Sequence, residues 1–371
     1  MIQVFKPFMG EQEVRAVRDV ILSGWIGLGP KTAGFEEEFA AYIGTKYAVA
    51  VNSATAALDL ALKLLGVRHG DEVIVPTMTF VSTAHVVAYN LATPIFVDID
   101  PETMNMDLDD VKRKITARTK AIMAVHYGGR PVDMRSLRKI AGTIPIIEDA
   151  AHACGSTYNG KRLGSLGDIG CFSFHAVKNL ATGDGGALTI NNKAFMERAK
   201  RLRWLGIDKG TWDRTELEKS YWWEYHVDEI GLKCHMNDIT AAIALVQLKK
   251  LNKMNARRKQ IADHYTRALK GHSLITTPPS IPKGCRSSWH IYCIRAKRRD
   301  ELSIYLQQKE IATGVHYKPV HTYKCYGNRP VLPKAESVFE EILSLPMYPG
   351  LSKDDVDRVT GAILSFYDGR M

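Results

Sequence analysis

Between about residue 46 and residue 190, short apolar runs alternate with stretches whose apolar positions recur at helical spacing. Tyr47-Ala48-Val49-Ala50-Val51 reads as a buried strand, and Ala54 to Leu65 as the helix that follows it. The unit then repeats. Glu72-Val73-Ile74-Val75, stopped by Pro76, leads into a helix near Val81 to Tyr89, and Pro94 to Val97 leads into one near Leu108 to Ile115. Ala121 to Val125 and Pro145 to Ile147 are further buried strands, and Cys171 to Phe174 and Ala187 to Ile190 close the series. Continuous apolar strands interleaved with amphipathic helices predict an α/β fold, a mostly parallel sheet covered by helices on both faces.

Beyond residue 230 the pattern changes. One long amphipathic helix is predicted from about Asn237 to Leu269, and the proline-rich stretch Thr277 to Pro282 marks a boundary after it. The remainder mixes a short strand, Ile291 to Ile294, with helices near Arg299 to Gln308 and Lys353 to Phe366. The expected division is a large domain over 1–245, including an N-terminal arm, and a small C-terminal α+β domain over 246–371. A chain of 371 residues suits two cores better than one.

Composition narrows the function classes. The chain is 45% hydrophobic and 24% charged, which is neither disordered nor fibrous. No apolar run approaches the roughly 18 to 20 residues of a membrane span, and Met1 to Lys6 lacks the layout of a signal peptide. A cytoplasmic protein with no membrane partner is expected. The six cysteines form no C-x-x-C pair and no zinc spacing, so no metal site is expected and the thiols read as reduced. The net charge of +10 is spread along the chain, without an aromatic-interleaved basic stripe or a helix-turn-helix, which argues against a nucleic-acid partner. Such a field would still draw in a small polyanion.

In a parallel sheet, ligands sit beyond the carboxyl ends of the strands, so the residues after each strand decide the chemistry. After the first come Ser53, Ala54 and Thr55, which open a helix and offer amides and hydroxyls to a phosphate, or serve only as an N-cap. After Ile147 comes Glu148-Asp149-Ala150-Ala151-His152. A carboxylate buried there needs a cationic partner, either a protonated pyridine nitrogen or a structural ion pair. Further on, Ser173 precedes Lys178, in a loop that ends at Gly183-Asp184-Gly185-Gly186. A solvated lysine would be inert; a buried one is suited to Schiff-base chemistry. Together these groups form the set that a pyridoxal phosphate (PLP) site requires.

The chain resembles the DegT/DnrJ/EryC1/StrS aminotransferases, sugar aminotransferases of fold type I, over nearly its whole length. The motifs that carry the resemblance are Ser23 to Pro30, Gly70 to Pro76, Thr79-Phe80-Val81, Glu148 to His152, Ser173 to Gly186, Gly314 to His321 and Leu345 to Gly350. The resemblance implies a seven-stranded sheet in a three-layer large domain. It implies that Lys178 bonds the cofactor aldehyde, that Asp149 pairs with the pyridine nitrogen, and that His152 lies near the ring hydroxyl. Ser53, Ala54, Thr55 and Ser173 would hold the phosphate, and Phe80 would stack on the ring. Lys233 stands where the family often has an asparagine that reaches the phosphate of the neighbouring subunit. Trp25, Tyr317 and His321 would face the substrate, although ordinary loop contacts account for them equally.

The activity so implied is amino transfer from L-glutamate to a nucleotide-linked 4-keto or 3-keto 6-deoxysugar, in a homodimer with shared active sites. An aminocyclitol or other non-nucleotide acceptor is the alternative. Similar sugar 3-dehydratases carry His at the position of Lys178, and a non-catalytic regulator would have been free to lose Lys178 or Asp149. The stretch Gly24 to Thr32 is similar to a nucleotide phosphate loop, but Pro30 separates Gly29 from Lys31 and no strand precedes it.

Overall fold

The architecture is that of a computed structural model, whose described residues are 1–208, 225–327 and 330–369. The apolar runs of the first half become strands β1 (Tyr47–Val51), β2 (Glu72–Pro76), β3 (Thr93–Val97), β4 (Thr119–Val125), β5 (Ile146–Asp149), β6 (Ile169–Ser173) and β7 (Gly186–Ile190). They form one seven-stranded sheet in the order β1-β7-β6-β5-β4-β2-β3. Every pairing from β6 to β3 is parallel, whereas β7 runs antiparallel to both β1 and β6. The exception has a local cause. The segment between Ser173 and Gly186 forms a loop rather than the helical crossover that a parallel return needs.

Helices cover both faces. Residues of β1 alternate, Val49 and Val51 packing with α3 (Ala54–Leu64) and Ala48 and Ala50 with α2 (Pro30–Ile43). The α3 face also receives α4 (Ser82–Tyr89) and α7 (Lys193–Leu202); the other face receives α5 (Leu108–Lys114), α6 (Met134–Ala141) and the first half of α8 (Asp238–Leu269). The N-terminal helix α1 (Glu11–Leu22) lies along α8. This is a three-layer α/β fold.

The second half of α8 belongs to a different core. Ile261, Ala262, Tyr265 and Leu269 pack with a three-stranded antiparallel sheet, β8 (Ile275–Thr276), β9 (Tyr292–Ala296) and β10 (Ile342–Leu345), and with helices α9 (Arg299–Gln308) and α10 (Lys353–Asp368). The N-terminal arm joins that core. Ile2 is buried in it, donates to the Glu310 carbonyl and accepts from the Ala312 amide, while the Val4 carbonyl accepts from Met347. Among the described residues, no helix is long and apolar enough to cross a membrane.

One strand runs further than its apolar run predicts. β5 continues through Glu148 and Asp149, paired there with both β4 and β6. Glu148 can stay in the sheet because its charge is met internally. His126 Nε2 donates at 3.0 Å, and the amides of Gly164, Leu166 and Gly167 donate at 2.8, 2.6 and 2.6 Å. Asp149 is thereby carried to the sheet's carboxyl edge.

Candidate active site

The turn after β1 opens α3. Ser53 is its N-cap, the Oγ accepting from the Ala56 amide at 3.1 Å, while the amides at the start of the helix point out of it unpaired by the helix itself. β7 lies so close that a Cβ on Gly186 would sit 2.5 Å from the Ser53 carbonyl carbon and 2.7 Å from the Ala54 nitrogen. A second helix start meets the first, since Thr55 Oγ1 and Ser82 Oγ are 2.8 Å apart. Ser173 closes the edge at the end of β6, buried and paired in register with Gly186. Two helix N-termini and several hydroxyls therefore converge on one place, which is the arrangement that receives a phosphate.

Asp149 is 5% exposed. Its Oδ2 accepts from the Thr83 hydroxyl at 2.8 Å and its Oδ1 from the Ala151 amide at 3.1 Å. Burial pushes the carboxyl above the usual carboxylate range, and those two donors and the Lys178 charge oppose the rise. A cation brought against this group would be bound tightly, because burial leaves the carboxylate short of neutralising charge.

Lys178 hangs from the loop between β6 and β7. The loop is closed at its neck by the Phe174 amide on the Gly185 carbonyl and the Thr182 amide on the Phe174 carbonyl, both at 2.8 Å, and Lys178 N–H donates to His175 O at 2.8 Å. Burial lowers the Lys178 amine to about 8, and Asp149 pulls the other way. Histidines surround it. His152 and His290 have centroids 4.5 Å apart, and Lys178 Nζ is 3.5 Å from His290 Nε2. Burial and the neighbouring Lys178 charge hold both rings well below the ordinary histidine value, so both are neutral.

Over this edge lie Phe80 and Tyr317. Phe80 follows β2 and is 56% exposed, an aromatic face with no core to fill, 6.0 Å from the Tyr317 ring. The Tyr317 hydroxyl meets His152 Nε2 at 2.9 Å. Since His152 Nδ1 accepts from the Gly128 amide at 3.4 Å, Nε2 carries the hydrogen and donates it to Tyr317.

The model of the DegT/DnrJ/EryC1/StrS aminotransferase family matches residues 7–364. The chain belongs to that family. It is 40% identical to the spore coat polysaccharide biosynthesis protein SpsC of Bacillus subtilis over 377 residues, covering 98% of this chain and 96% of SpsC. The aminotransferase TlmJ of Streptoalloteichus hindustanus superposes with a TM-score of 0.94 at 38% identity, all of both chains covered. Spr1654 of Streptococcus pneumoniae in its PMP form gives 0.93 at 34% identity, again over both whole chains, and that protein is also solved in a PLP form. The protein is a transaminase of fold type I and PLP is its cofactor.

The residues present suit that cofactor. Among the described residues the buried Asp149 carboxyl forms no ion pair, and the desolvated Lys178 amine bears on it. Phe80 presents a half-exposed ring, and the amides at the start of α3 are open. These residues would hold, in that order, the pyridine nitrogen, the aldehyde, the ring and the phosphate. The aminotransferase's other expected residues are distributed less simply. Trp25 sits in the turn before α2, its indole N–H donating to Leu28 O at 3.2 Å. That turn is tied down by Asp238, whose carboxylate takes the amides of Gly29, Lys31 and Thr32, so the loop that resembles a phosphate loop already holds an anion from its own chain. Lys233 is exposed, its Nζ 4.9 Å over the Trp204 ring.

His321, expected to face the sugar, is 1% exposed, with Nδ1 2.5 Å from Thr77 Oγ1 and Nε2 3.1 Å from Glu336 Oε1. Both ring nitrogens brace the turn after β2. Conversely, Thr83, Ser82, Asn179 and His290 belong to the site and were not singled out in the sequence. Thr83 and Ser82 carried one usable signal, lying in the small hydroxyl-rich start of a helix just after a strand. His290 carried none.

Proposed function

We propose that this aminotransferase moves an amino group from L-glutamate to the keto group of a nucleotide-linked 4-keto or 3-keto 6-deoxysugar. The observation that carries the catalytic part is the juxtaposition of a buried Asp149 and an amine at Lys178 lowered to about 8, at the edge where two helix starts meet. The sugar class is supported by the family and by SpsC, a protein of polysaccharide biosynthesis. The +10 charge favours an acceptor that carries phosphates.

Each residue has a task that its environment explains. Asp149 would hold a proton on the ring nitrogen of the cofactor, which when bound would supply an electron sink. The Lys178 amine would bond the cofactor aldehyde and, when free, would act as base toward the donor α-proton and then as acid in returning it; its lowered affinity for protons makes it a working base near neutrality. Ser53, Ala54, Thr55 and Ser173 would hold the phosphate. Phe80 and His152, the latter hydrogen-bonded to the Tyr317 hydroxyl, would line the ring, and Tyr317 would face the acceptor. Trp25 and Lys233 would complete the site of a second copy in a homodimer, as the family resemblance implies. The chain divides within α8: Leu248, Leu251 and Met254 pack in the large-domain core, and Ile261 onward in the small one, together with Ile2 of the arm.

A substrate panel tests this. The pyridoxamine form is mixed with UDP-, dTDP- and GDP-linked 3-keto and 4-keto sugars, and with keto cyclitols, and absorbance between about 400 and 430 nm is followed. Recovery with a nucleotide sugar is expected. Recovery with cyclitols alone would move the substrate class, and a Lys178→Ala variant that still completes both half-reactions would overturn the catalytic assignment.

A further inference from the structure

His290, just ahead of β9, is 1% exposed and touches the Lys178 amine. Its tautomer follows from its neighbours. His290 Nδ1 lies 3.0 Å from Asn179 Oδ1. The Asn179 amide has one permissible orientation, because its Nδ2 donates to Asn255 Oδ1 at 2.7 Å and to the Ser288 carbonyl at 2.8 Å. Asn255 is oriented in turn by donating from Nδ2 to the Cys154 carbonyl at 2.9 Å. Asn179 Oδ1 is therefore an acceptor, and the His290 proton is on Nδ1. That leaves a bare lone pair on Nε2, 3.5 Å from Lys178 Nζ.

The ring is held as firmly as its tautomer. Phe5 of the N-terminal arm lies parallel to it, with centroids 5.4 Å apart and an angle of 8° between planes. Burial keeps it neutral first of all, and every charged or titratable group that bears on it is basic: Lys178 from the loop, His152 after β5, Arg258 from α8, and His316 after α9. A neutral acceptor fixed in place cannot compete for the proton that Lys178 carries. It can decide where that proton points.

We propose that His290 is a positioning residue for Lys178, its Nε2 accepting one N–H of the amine and so aiming the remaining lone pair at the reacting carbon. The proposal rests on Lys178 being the reacting amine. A contact of this length is usual before substrates close the site, since catalytic hydrogen bonds tighten in the reactive complex.

Two substitutions separate this role from packing. In His290→Asn the side-chain amide keeps the donation to Asn179 and loses the acceptor facing Lys178; in His290→Gln the amide oxygen keeps that acceptor and the link to Asn179 is lost. Two quantities are read. One is the glutamate half-reaction of the PLP-loaded enzyme, the other the pH midpoint for labelling Lys178 of the cofactor-free protein with formaldehyde and borohydride, followed by mass spectrometry. His290→Asn should slow the half-reaction by about 10²-fold at unchanged KM, the scale of a misaimed reacting group, whereas His290→Gln stays within about threefold of wild type. The labelling midpoint should fall in His290→Asn alone, because a lost acceptor no longer favours the charged amine. Equal losses in both variants, or none in His290→Asn, would overturn the proposal. Failure of the underlying reading shows separately, as a Lys178→Ala enzyme that keeps its half-reaction.

Discussion

Thr83 donates its hydroxyl hydrogen to Asp149 Oδ2 at 2.8 Å, and the bond can run only one way. A carboxylate has no hydrogen to give, so the Thr83 oxygen is left to accept, and it does so from Thr79 Oγ1 at 2.8 Å. Two hydroxyls, one in the turn before α4 and one in its first turn, thus feed a carboxyl at the end of β5. Burial raises the affinity of Asp149 for protons, and Thr83 is the foremost group that restrains the rise.

Thr83→Val removes that donor while conserving shape. The Asp149 carboxyl then rises further, so protonation sets in at higher pH and the group ceases to hold a charged ring nitrogen. The acid limb of the kcat/KM profile should move to higher pH, and kcat at neutral pH should fall by about tenfold, given the roughly 1.5 kcal/mol of a hydrogen bond to a charged group. An unchanged acid limb would show that Thr83 does not tune Asp149.

Gly186→Ala addresses the phosphate end. Its Cβ would meet the Ser53 carbonyl carbon at 2.5 Å and the Ala54 nitrogen at 2.7 Å, both backbone atoms that cannot swing away. β7 must then part from the α3 start, and the expected result is PLP affinity weakened by at least about tenfold with a smaller loss of thermal stability. Equilibrium dialysis or fluorescence quenching on cofactor binding measures it, and wild-type affinity would contradict the geometry.

Glu148 makes a stability prediction with a defined sign. Burial alone would raise its carboxyl, but the His126 hydrogen bond and the amides of the Gly164–Gly167 turn outweigh it, and the folded value lies below the usual 4.5. A depressed carboxylate contributes stability above its unfolded value and loses it as pH falls through the folded one. Glu148→Gln should therefore lower stability at pH 7 by about 2 to 3 kcal/mol, as donors are left facing an amide N–H. Denaturant unfolding from pH 7 down to pH 3 should show a shallower acid loss in the variant than in wild type.

His321→Ala separates bracing from binding. Removing the ring leaves Thr77 and Glu336 without their partner, with an expected loss of about 2 kcal/mol on unfolding. If bracing is its whole role, KM for the keto sugar should change less than kcat. A selective rise in KM with normal stability would restore it to the substrate side.

The sheet was legible because buried parallel strands are continuous apolar runs, and Tyr47 to Val51 and Ala121 to Val125 became strands much as written. Asp149, His152 and Lys178 were legible too, each standing just beyond such a run where ligands collect. What the residue order did not reveal were the meetings between distant segments. β7 reverses because its connecting loop is spent on presenting Lys178, and hydrophobicity is blind to strand direction. Thr83 reaches Asp149 across 66 positions and His290 reaches Lys178 across 112. His321 looks like any loop histidine until Thr77 and Glu336 close on it. Periodicity records which side chains leave water; which of them then touch is decided by how helices and strands pack, and the properties that matter for catalysis, a raised carboxyl, a lowered amine and a locked tautomer, arise only from those contacts.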